Sequence, residues 1–362
     1  MLNMMTAIQD PWTKKSSGAN VGLTADGTPV HLYVLRADGI EVAIMNYGAR
    51  IVSIRTPDRD GNLADVVLNY SGLDGYVADI SSYLGAIVGR YANRISEGRF
   101  LIDGRTIQTT VNNNGNMLHG GSDGFDRRVW SGQCFSSWVE LTLKSDDGDQ
   151  GFPGNLTVRV RYTVMPRALR MDYFFTTDRT TVVNLTNHAY FNLSGNHETS
   201  IFGDELAIAA DHYTPIDSRL IPIGMLWPVD DTPFDFRSRT VIGSRIESDD
   251  RQLELAGGYD HNFVLTGAAG ELRKVAHLHN PDSGRALTVS TTEPGLQFYT
   301  GNFLDGTSYG AAQERHGRRT GLCLETQHFP DSPNHPNFLS TELRPGTIGR
   351  STTIFEFSAD TP

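Results

Sequence analysis

Apolar and polar residues alternate with a period of two in several separate parts of the chain. Residues 30–34 place valine and leucine on one face, and residues 40–44 repeat the pattern with isoleucine and valine. Because successive side chains of a strand point to opposite faces of its sheet, this alternation predicts β-strands. Asp38 and Gly39, which join the two runs, both tolerate positive φ and predict a tight hairpin turn.

The same alternation returns along the rest of the chain, at residues 139–143, 156–162, 287–289 and 354–357. Eight Asp-Gly dipeptides punctuate the sequence and predict turns. No stretch of a dozen residues has an apolar period of 3.6, and only residues 242–253 suit a short helix. We therefore expect an all-β protein, a large antiparallel sandwich or barrel with long loops and few short helices.

Composition and charge narrow the class of protein. The 362 residues have a formal net charge of -11 and no basic run, so we expect no nucleic-acid partner. No apolar stretch approaches the roughly 18 residues of a membrane span, and none near the N-terminus is long enough for a signal peptide. We expect a cytoplasmic protein without membrane contacts, unless a secretory leader was removed. Cys134 and Cys323 are expected to be buried, reduced thiols.

The domain organisation follows from what the chain lacks. There is no low-complexity linker, no block of like charges and no repeat with a period of 20–50 residues. Residues 1–20 predict a loosely ordered N-terminal arm, and residues 21–362 predict a single domain. We expect a monomer or a weak homodimer.

Four segments are unusually rich in chemical groups, and long loops in compact β-proteins are usually functional. They are residues 89–94 (GRYANR), 112–121 (NNNGNMLHGG), 184–193 (NLTNHAYFNL) and 322–331 (LCLETQHFPD). Arg90 and Arg94 in the first segment could simply belong to a solvated face. The asparagines and glycines of the second segment demand tight backbone and leave His119 between a turn and the interior.

The third and fourth segments suggest acid–base chemistry. His188 follows the strand alternation among asparagines, which is typical of a strand that lines a polar cavity, although a core histidine would give the same pattern. Glu325 is flanked by apolar residues, where burial raises the pKa of a carboxyl toward neutrality and suits a general base. Asp260, in the sequence GYDH, adds a second carboxylate at a strand entrance.

Several other chemistries lack their motifs. The chain has no glycine-rich nucleotide loop, no HExxH and no GxSxG. His277 with His279, and His328 with His335, have a loose metal-like spacing, but His-x-His on a strand more often gives two exposed imidazoles. We therefore expect neither a metal nor a cofactor.

Eight segments, in this order along the chain, resemble the aldose 1-epimerases, or galactose mutarotases. They are residues 46–49 (NYGA), 89–95 (GRYANRI), 118–121 (LHGG), 151–154 (GFPG), 187–193 (NHAYFNL), 258–261 (GYDH), 297–302 (QFYTGN) and 324–327 (LETQ). The resemblance covers nearly the whole chain, from about residue 23 to 357. It implies a large β-sandwich that binds a monosaccharide in an open cleft.

The resemblance also implies roles for individual residues. His188 would protonate the sugar ring oxygen, and Glu325 would take the proton of the anomeric hydroxyl. The residues implied in substrate binding are Asn93, Arg94, His119, Asp260 and Gln297. Opening a cyclic hemiacetal needs only these two proton transfers, and rotation about C1–C2 before closure gives the other anomer.

Three alternatives use some of the same residues. Glu325 and Asp260 could be a glycosidase pair, about 5–5.5 Å apart if retaining and about 6.5–9.5 Å if inverting, but that mechanism does not require His188. A non-catalytic sugar-binding protein would need no acid and base together. A hexose-6-phosphate 1-epimerase would need a phosphate clamp, for which the candidates are Arg90, Arg94, Arg127 and Arg128.

The phosphate alternative fits the sequence less well than a neutral sugar does. Arg127 and Arg128 are adjacent, so on a strand they would point to opposite faces and could not hold one group together. The acidic balance of the chain also gives a phosphorylated substrate no long-range attraction. We therefore predict an unphosphorylated aldose such as galactose or glucose.

Overall fold

Strands dominate the computed structural model, which describes residues 12–15 and 17–361. The all-β prediction is confirmed. One antiparallel sheet has five strands, in the order β1 (Ala19–Leu23), β2 (Pro29–Ala37), β3 (Ile40–Met45), β4 (Arg50–Pro57) and β5 (Leu63–Asp65). Four short strand pairs form separate two-stranded sheets: β6 (Ile87–Val88) with β16 (Thr186–Asn187), β7 (Arg94–Ile95) with β10 (Met117–Leu118), β8 (Arg99–Ile102) with β9 (Arg105–Gln108), and β15 (Thr181–Val182) with β27 (Glu342–Leu343).

Two larger antiparallel sheets complete the architecture. The nine-stranded sheet has the order β11 (Ser131–Cys134), β12 (Trp138–Ser145), β13 (Leu156–Met165), β14 (Ala168–Thr177), β28 (Gly349–Ala359), β24 (Arg285–Thr291), β23 (Arg273–His279), β18 (Glu205–Ile208) and β21 (Thr240–Val241). The six-stranded sheet has the order β17 (Tyr190–Phe191), β26 (Leu322–Gln327), β25 (Gly295–Tyr299), β22 (Asp260–Leu265), β19 (Ala210–Tyr213) and β20 (Trp227–Pro228).

The predicted hairpin is present between β2 and β3. Ala37 pairs with Ile40 across a two-residue turn, and Gly39 has a φ of 68°. Both faces of the five-stranded sheet are buried, since Leu32 packs in one apolar cluster while Leu35 packs in the main core. A sheet with two apolar faces needs cover on both sides, so this sheet lies between the main core and the layer that contains the site.

The alternation along β26 distributes its residues between two environments. Leu322 and Leu324 pack in the main core, whereas Cys323 packs in the second cluster with Tyr190 and Tyr299. Glu325, two residues after Cys323, therefore points to the same side as that second cluster. This strand connects the core of the sandwich to the candidate site.

Helices are few and short in the described part of the chain, as predicted. Within residues 242–253 the structure has a 3₁₀ turn, Ile242–Ser244, and the start of α2 (Arg251–Ala256). Asp250 caps α2 by accepting from the backbone N–H groups of its second and third residues. The sequence pattern did not predict α1 (Leu73–Ala78), which has six residues, an interior glycine and no side-chain cap. Further 3₁₀ turns are Ser96–Gly98, Phe125–Arg127, Asp149–Gly151, Ile201–Gly203 and Ser332–Asn334.

Two other predictions concern the N-terminal arm and the two cysteines. Residues 1–11 and 16 of the predicted arm lie outside the described residues. Trp12 is fully buried, and its indole Nε1 donates to the carbonyl of Tyr70 over 2.8 Å, so the arm is packed against the rest of the protein at this residue. The prediction of two buried thiols is wrong for Cys134, which is exposed because β11 is a fully exposed edge strand. None of the described helices is long and apolar enough to cross a membrane.

Candidate active site

The pairing of β17 with β26 brings the predicted acid and base together. Tyr190 pairs with Cys323 in antiparallel register. Because the strands are antiparallel, the residue two positions before Tyr190 lies opposite the residue two positions after Cys323. This register therefore places His188 opposite Glu325. The distance between His188 Nε2 and Glu325 Oε1 is 3.7 Å, and both side chains are buried.

Two rows of directly opposed residues cross this end of the six-stranded sheet. One row runs from Asp260 in β22 through Tyr299 and Cys323 to Tyr190. The neighbouring row contains Gln297 of β25 paired with Glu325 of β26. Since the two rows are separated by two residues along each strand, their side chains share one face of the sheet. The face therefore collects groups from four strands that are far apart in sequence.

The second wall of the site comes from the pair β7 and β10. Leu118 pairs with Arg94, so the residues beyond each strand end, His119 and Asn93, also lie side by side. The backbone N–H of Asn93 donates to His119 Nδ1 over 3.2 Å, and the N–H of His119 donates to the carbonyl of Asn93 over 3.0 Å. Both residues have positive φ, 60° and 50°, which explains why this segment is rich in asparagine and glycine.

A close backbone approach also requires a glycine here. A Cβ added to Gly120, whose φ is 89°, would lie 1.9 Å from the carbonyl oxygen of Gly89. The loop that contains His119 can therefore pack against the 89–94 segment only with glycine at this position. Packing of these two loops fixes the second wall against the sheet.

The two walls enclose a cavity of about 190 Å³. The predicted residues that line it are Asn93, Arg94, His119, His188, Asp260 and Glu325. Gln297 does not line it, because its side chain lies behind Asp260 and its Nε2 donates to Asp260 Oδ1 over 2.7 Å. A second cavity of about 450 Å³ adjoins the first and shares Ser81, Ser82, Phe303 and Leu304 with it.

Burial shifts the pKa values of Glu325 and His188 in opposite directions. It raises the pKa of the Glu325 carboxyl well above its usual value, and the nearby Asp260 raises it further while Arg94 lowers it. It lowers the pKa of His188 to about 4. The direction expected for Glu325 from its apolar neighbours in the sequence agrees with this result.

Arg94 and Asp260, which are predicted to bind the substrate, have opposite charges; Arg94 is buried and Asp260 is half-buried. Burial lowers the pKa of Arg94 and raises that of Asp260, and each group partly reverses the shift of the other. Arg94 Nε donates to Asn113 Oδ1 over 3.3 Å. The interpretation of Arg94 as part of a solvated face is wrong, since the residue is only 6% exposed.

His119 is held as a neutral hydrogen-bond donor. Burial lowers its pKa well below the usual value, and the proximity of His188 and Arg94 lowers it further. Because Nδ1 accepts from the Asn93 backbone, the neutral ring has its proton on Nε2. The rings of His119 and His188 meet edge to face, with centroids 5.2 Å apart.

The site has a donor set that could hold a metal ion. Ligand atoms of His119, His188 and Glu325 lie within 4.8 Å of one another. Tetrahedral zinc with bonds of about 2.0–2.2 Å needs shorter separations, so side-chain rotation would have to precede binding. The pairs with metal-like spacing in the sequence lie elsewhere: His279 contacts Glu205 and Asp360, and His328 contacts Glu293.

The arginines considered for a phosphate clamp do not converge. Arg90 is 2% exposed, and its guanidinium donates to the carbonyls of residues 145, 146, 153 and 154. Arg128 pairs with Asp123 and Asp149 at 2.9 Å each. Arg94 is the one arginine among the lining residues of the described cavity.

Several lining residues were not singled out by the sequence analysis. Tyr190 and Tyr299 lie in segments that carried the family resemblance, so their positions gave a usable signal. No sequence signal pointed to Tyr83, yet the centre of its ring lies 4.6 Å from that of His119 and 5.8 Å from that of His188. Ser81, Ser82, Leu118, Phe303 and Leu304 complete the lining.

Comparison with known proteins identifies the family of this chain. A family model described as aldose 1-epimerase matches residues 31–356. The chain is 44% identical over 336 residues to a galactose mutarotase from Rattus norvegicus, covering 93% of this chain and 96% of the rat protein. It is 42% identical over 346 residues to an aldose 1-epimerase from Escherichia coli K12, covering 93% and 98%.

A solved structure of a related protein has the same fold as this chain. The crystal structure of a galactose 1-epimerase from Lactobacillus acidophilus has 30% sequence identity and a TM-score of 0.82, with 93% of this chain and 97% of that chain covered. The sandwich of mutarotase type and the family predicted from the eight ordered segments are thereby confirmed. The chain belongs to the aldose 1-epimerase family.

Proposed function

We propose that His188 is the acid and Glu325 the base with which this aldose 1-epimerase interconverts the α and β anomers of a free aldose. The observation that supports these roles is the 3.7 Å between His188 Nε2 and Glu325 Oε1. The ring oxygen and the anomeric hydroxyl oxygen are bonded to the same carbon atom. An acid and a base that serve these two oxygens must therefore lie close together.

The pair needs only one proton between its two members. When Glu325 is ionised and His188 is protonated, the glutamate takes the anomeric hydroxyl proton and the histidine protonates the ring oxygen, which opens the ring. The proton then lies on Glu325, and the histidine is neutral. When the former ring oxygen, now a hydroxyl, attacks the other carbonyl face, the histidine accepts the hydroxyl proton and Glu325 returns its proton to the anomeric oxygen. No proton has to enter from solvent during the cycle.

Burial changes which member of this pair binds the proton more tightly. In water a proton prefers histidine over glutamate by about 2 pKa units, or about 3 kcal/mol. Burial raises the pKa of Glu325 and lowers that of His188, so it opposes this preference. Burial therefore favours the state in which the proton of the pair lies on Glu325, which is the state that follows ring opening.

The other predicted residues support binding in this proposal. Arg94 and the neutral His119 donate hydrogen bonds to sugar oxygens on which negative charge develops. Asp260 accepts from sugar hydroxyls, and Asn93 holds His119 in its tautomer. Gln297 acts through Asp260, to which its amide donates.

Polarimetry of freshly dissolved α-D-galactose and α-D-glucose tests the activity. We expect the protein to accelerate the decay of optical rotation well beyond the spontaneous rate, at catalytic concentration. Tight binding of galactose without acceleration would instead support a sugar-binding protein. Release of nitrophenol from an aryl glycoside would support the glycosidase alternative, whose carboxylate pair has no role for the contact between His188 and Glu325.

A neutral substrate is proposed on the basis of the arginines. A dianionic phosphate favours two or more converging guanidinium groups, whereas the described cavity has Arg94 alone. We therefore expect kcat/KM for glucose-6-phosphate to stay below the values for glucose and galactose. A clearly higher kcat/KM for the phosphate ester would assign the chain to hexose-6-phosphate chemistry.

A further inference from the structure

Arg94 lies in a strand of only two residues, so its backbone needs support from both edges. On one edge β7 pairs with β10, where Leu118 faces Arg94. On the opposite edge a single residue, Asp331, binds two backbone groups. Its N–H donates to the carbonyl of Arg94 over 2.8 Å, and its Oδ1 accepts from the N–H of Ser96 over 2.9 Å.

Asp331 is itself firmly held. It is 2% exposed and adopts the left-handed conformation, with φ 57° and ψ 17°. The side-chain amide of Asn334 donates to Asp331 Oδ1 over 2.6 Å, and His335 Nε2 lies 3.3 Å from Oδ2. A buried acceptor that two donors hold has little freedom to move, so it can fix the strand edge that it contacts.

The position of Asp331 in the chain links Arg94 to the base. Glu325 lies in β26, and Asp331 follows the end of that strand after a short connection. Within this connection the N–H of His328 donates to Asn184 Oδ1 over 3.0 Å, and the Asn184 amide donates to the carbonyls of His328 and Ala92, each over 3.2 Å. Hydrogen bonds at two points therefore tie the base-bearing segment to the segment that contains Arg94.

We propose that Asp331 is a positioning residue that sets the place of the Arg94 guanidinium relative to Glu325. The proposal rests on the proposed function. Asp331 does not line the cavity, so it acts through Arg94 and not on the sugar. A misplacement of about 1 Å in a catalytic constellation can lower the rate by about 100-fold, so the loss of this support is measurable.

Three substitutions separate the side chain from the backbone conformation. Asp331→Asn keeps an acceptor oxygen and tolerates the left-handed conformation. Asp331→Gly keeps the conformation but removes the acceptor. Asp103→Gly is the matched control, because Asp103 also has positive φ, 49°, but is exposed in the turn between β8 and β9.

A change on the donor side gives an independent test. Ser96→Pro removes the N–H that donates to Asp331 without changing the residue at 331, and the ring Cδ, which takes the place of this hydrogen, pushes the carboxylate away from the strand edge. Ser96 is the first residue of a 3₁₀ turn and follows Ile95, which is extended, with φ -120° and ψ 124°; proline is tolerated in such a place. This variant keeps the proposal testable if Asp331→Gly does not fold.

The measurement is a double-mutant cycle on kcat/KM for galactose, with Arg94→Ala as the partner change. We expect Asp331→Gly and Ser96→Pro each to lower kcat/KM by about 10-fold or more, since a misplaced group loses much of its effect. Asp331→Asn should retain most of the activity, and Asp103→Gly all of it. In the Arg94→Ala background, Asp331→Gly and Ser96→Pro should have almost no further effect.

Two results would overturn the positioning role. One is that the losses from Asp331→Gly and Arg94→Ala multiply, which would mean that Asp331 acts independently of Arg94. The other is that folded Asp331→Gly and Ser96→Pro variants are as active as the wild type. A wild-type protein without mutarotation activity would instead refute the proposed function, so the two failures are distinguishable.

Discussion

Replacing Glu325 by glutamine tests the base directly and with little change of shape. Glu325 Oε1 faces His188, and Oε2 is buried without a protein hydrogen-bond partner in the described structure. The amide keeps the size of the side chain but cannot take a proton from the anomeric hydroxyl. We expect mutarotation to slow by at least about 100-fold, which is the low end for loss of a general base. This loss corresponds to about 2.7 kcal/mol in the activation free energy.

The same substitution should not destabilise the fold at neutral pH. Burial raises the pKa of Glu325 above its value in the unfolded chain. The folded protein therefore binds a proton more tightly than the unfolded chain, and stability falls as pH rises from the unfolded pKa to the folded pKa. Glutamine removes this penalty, so we expect Glu325→Gln to melt at the same temperature as the wild type or higher at pH 7–8.

The assay combines polarimetry of α-D-galactose with thermal melting. Glu293→Gln is a matched control, because Glu293 is a buried glutamate that pairs with His328 outside the described cavity. We expect this control to keep its activity. An undiminished rate in Glu325→Gln would remove the glutamate from the mechanism, and a large fall in melting temperature would show that the loss of activity reports on folding.

Three further changes probe other groups. His188→Asn should slow mutarotation by at least about 100-fold in the same assay, because the ring oxygen loses its proton donor; a smaller loss would assign that role elsewhere. Gln297→Leu should raise KM for galactose by about 10-fold, since Asp260 loses a hydrogen bond of about 1.5–3 kcal/mol; an unchanged KM would show that Gln297 does not support binding. Asp204→Asn should raise the melting temperature, and more so at pH 8 than at pH 4. Burial raises the pKa of Asp204 to about 7, so stability is lost as pH rises from about 4 toward 7, at about 1.4 kcal/mol per pKa unit; an equal effect at both pH values would contradict this account.

The sequence by itself determined the class of fold and pointed to six of the residues that line the cavity. Alternation with a period of two predicted strands such as β12 and β13, because one face of each packs in the core. Asp38 and Gly39 fixed the register of a hairpin locally. Local patterns were weaker for α1, which has a glycine in its interior and no side-chain cap, so the packing of its buried Leu73 and Tyr76 is its main support.

Only the tertiary structure decided how the chemical groups are arranged. His188 and Glu325 are opposed because β17 pairs with β26, a contact between strands more than a hundred residues apart in sequence. The burial that shifts their pKa values depends on residues from both walls of the cavity, and no local pattern gives a distance or a desolvation. Gln297 illustrates the limit, since the sequence placed it at the site but the pairing of β22 with β25 puts it behind Asp260. Residue types follow from local pattern, whereas distances and proton affinities follow from contacts that the folded chain makes across its sheets.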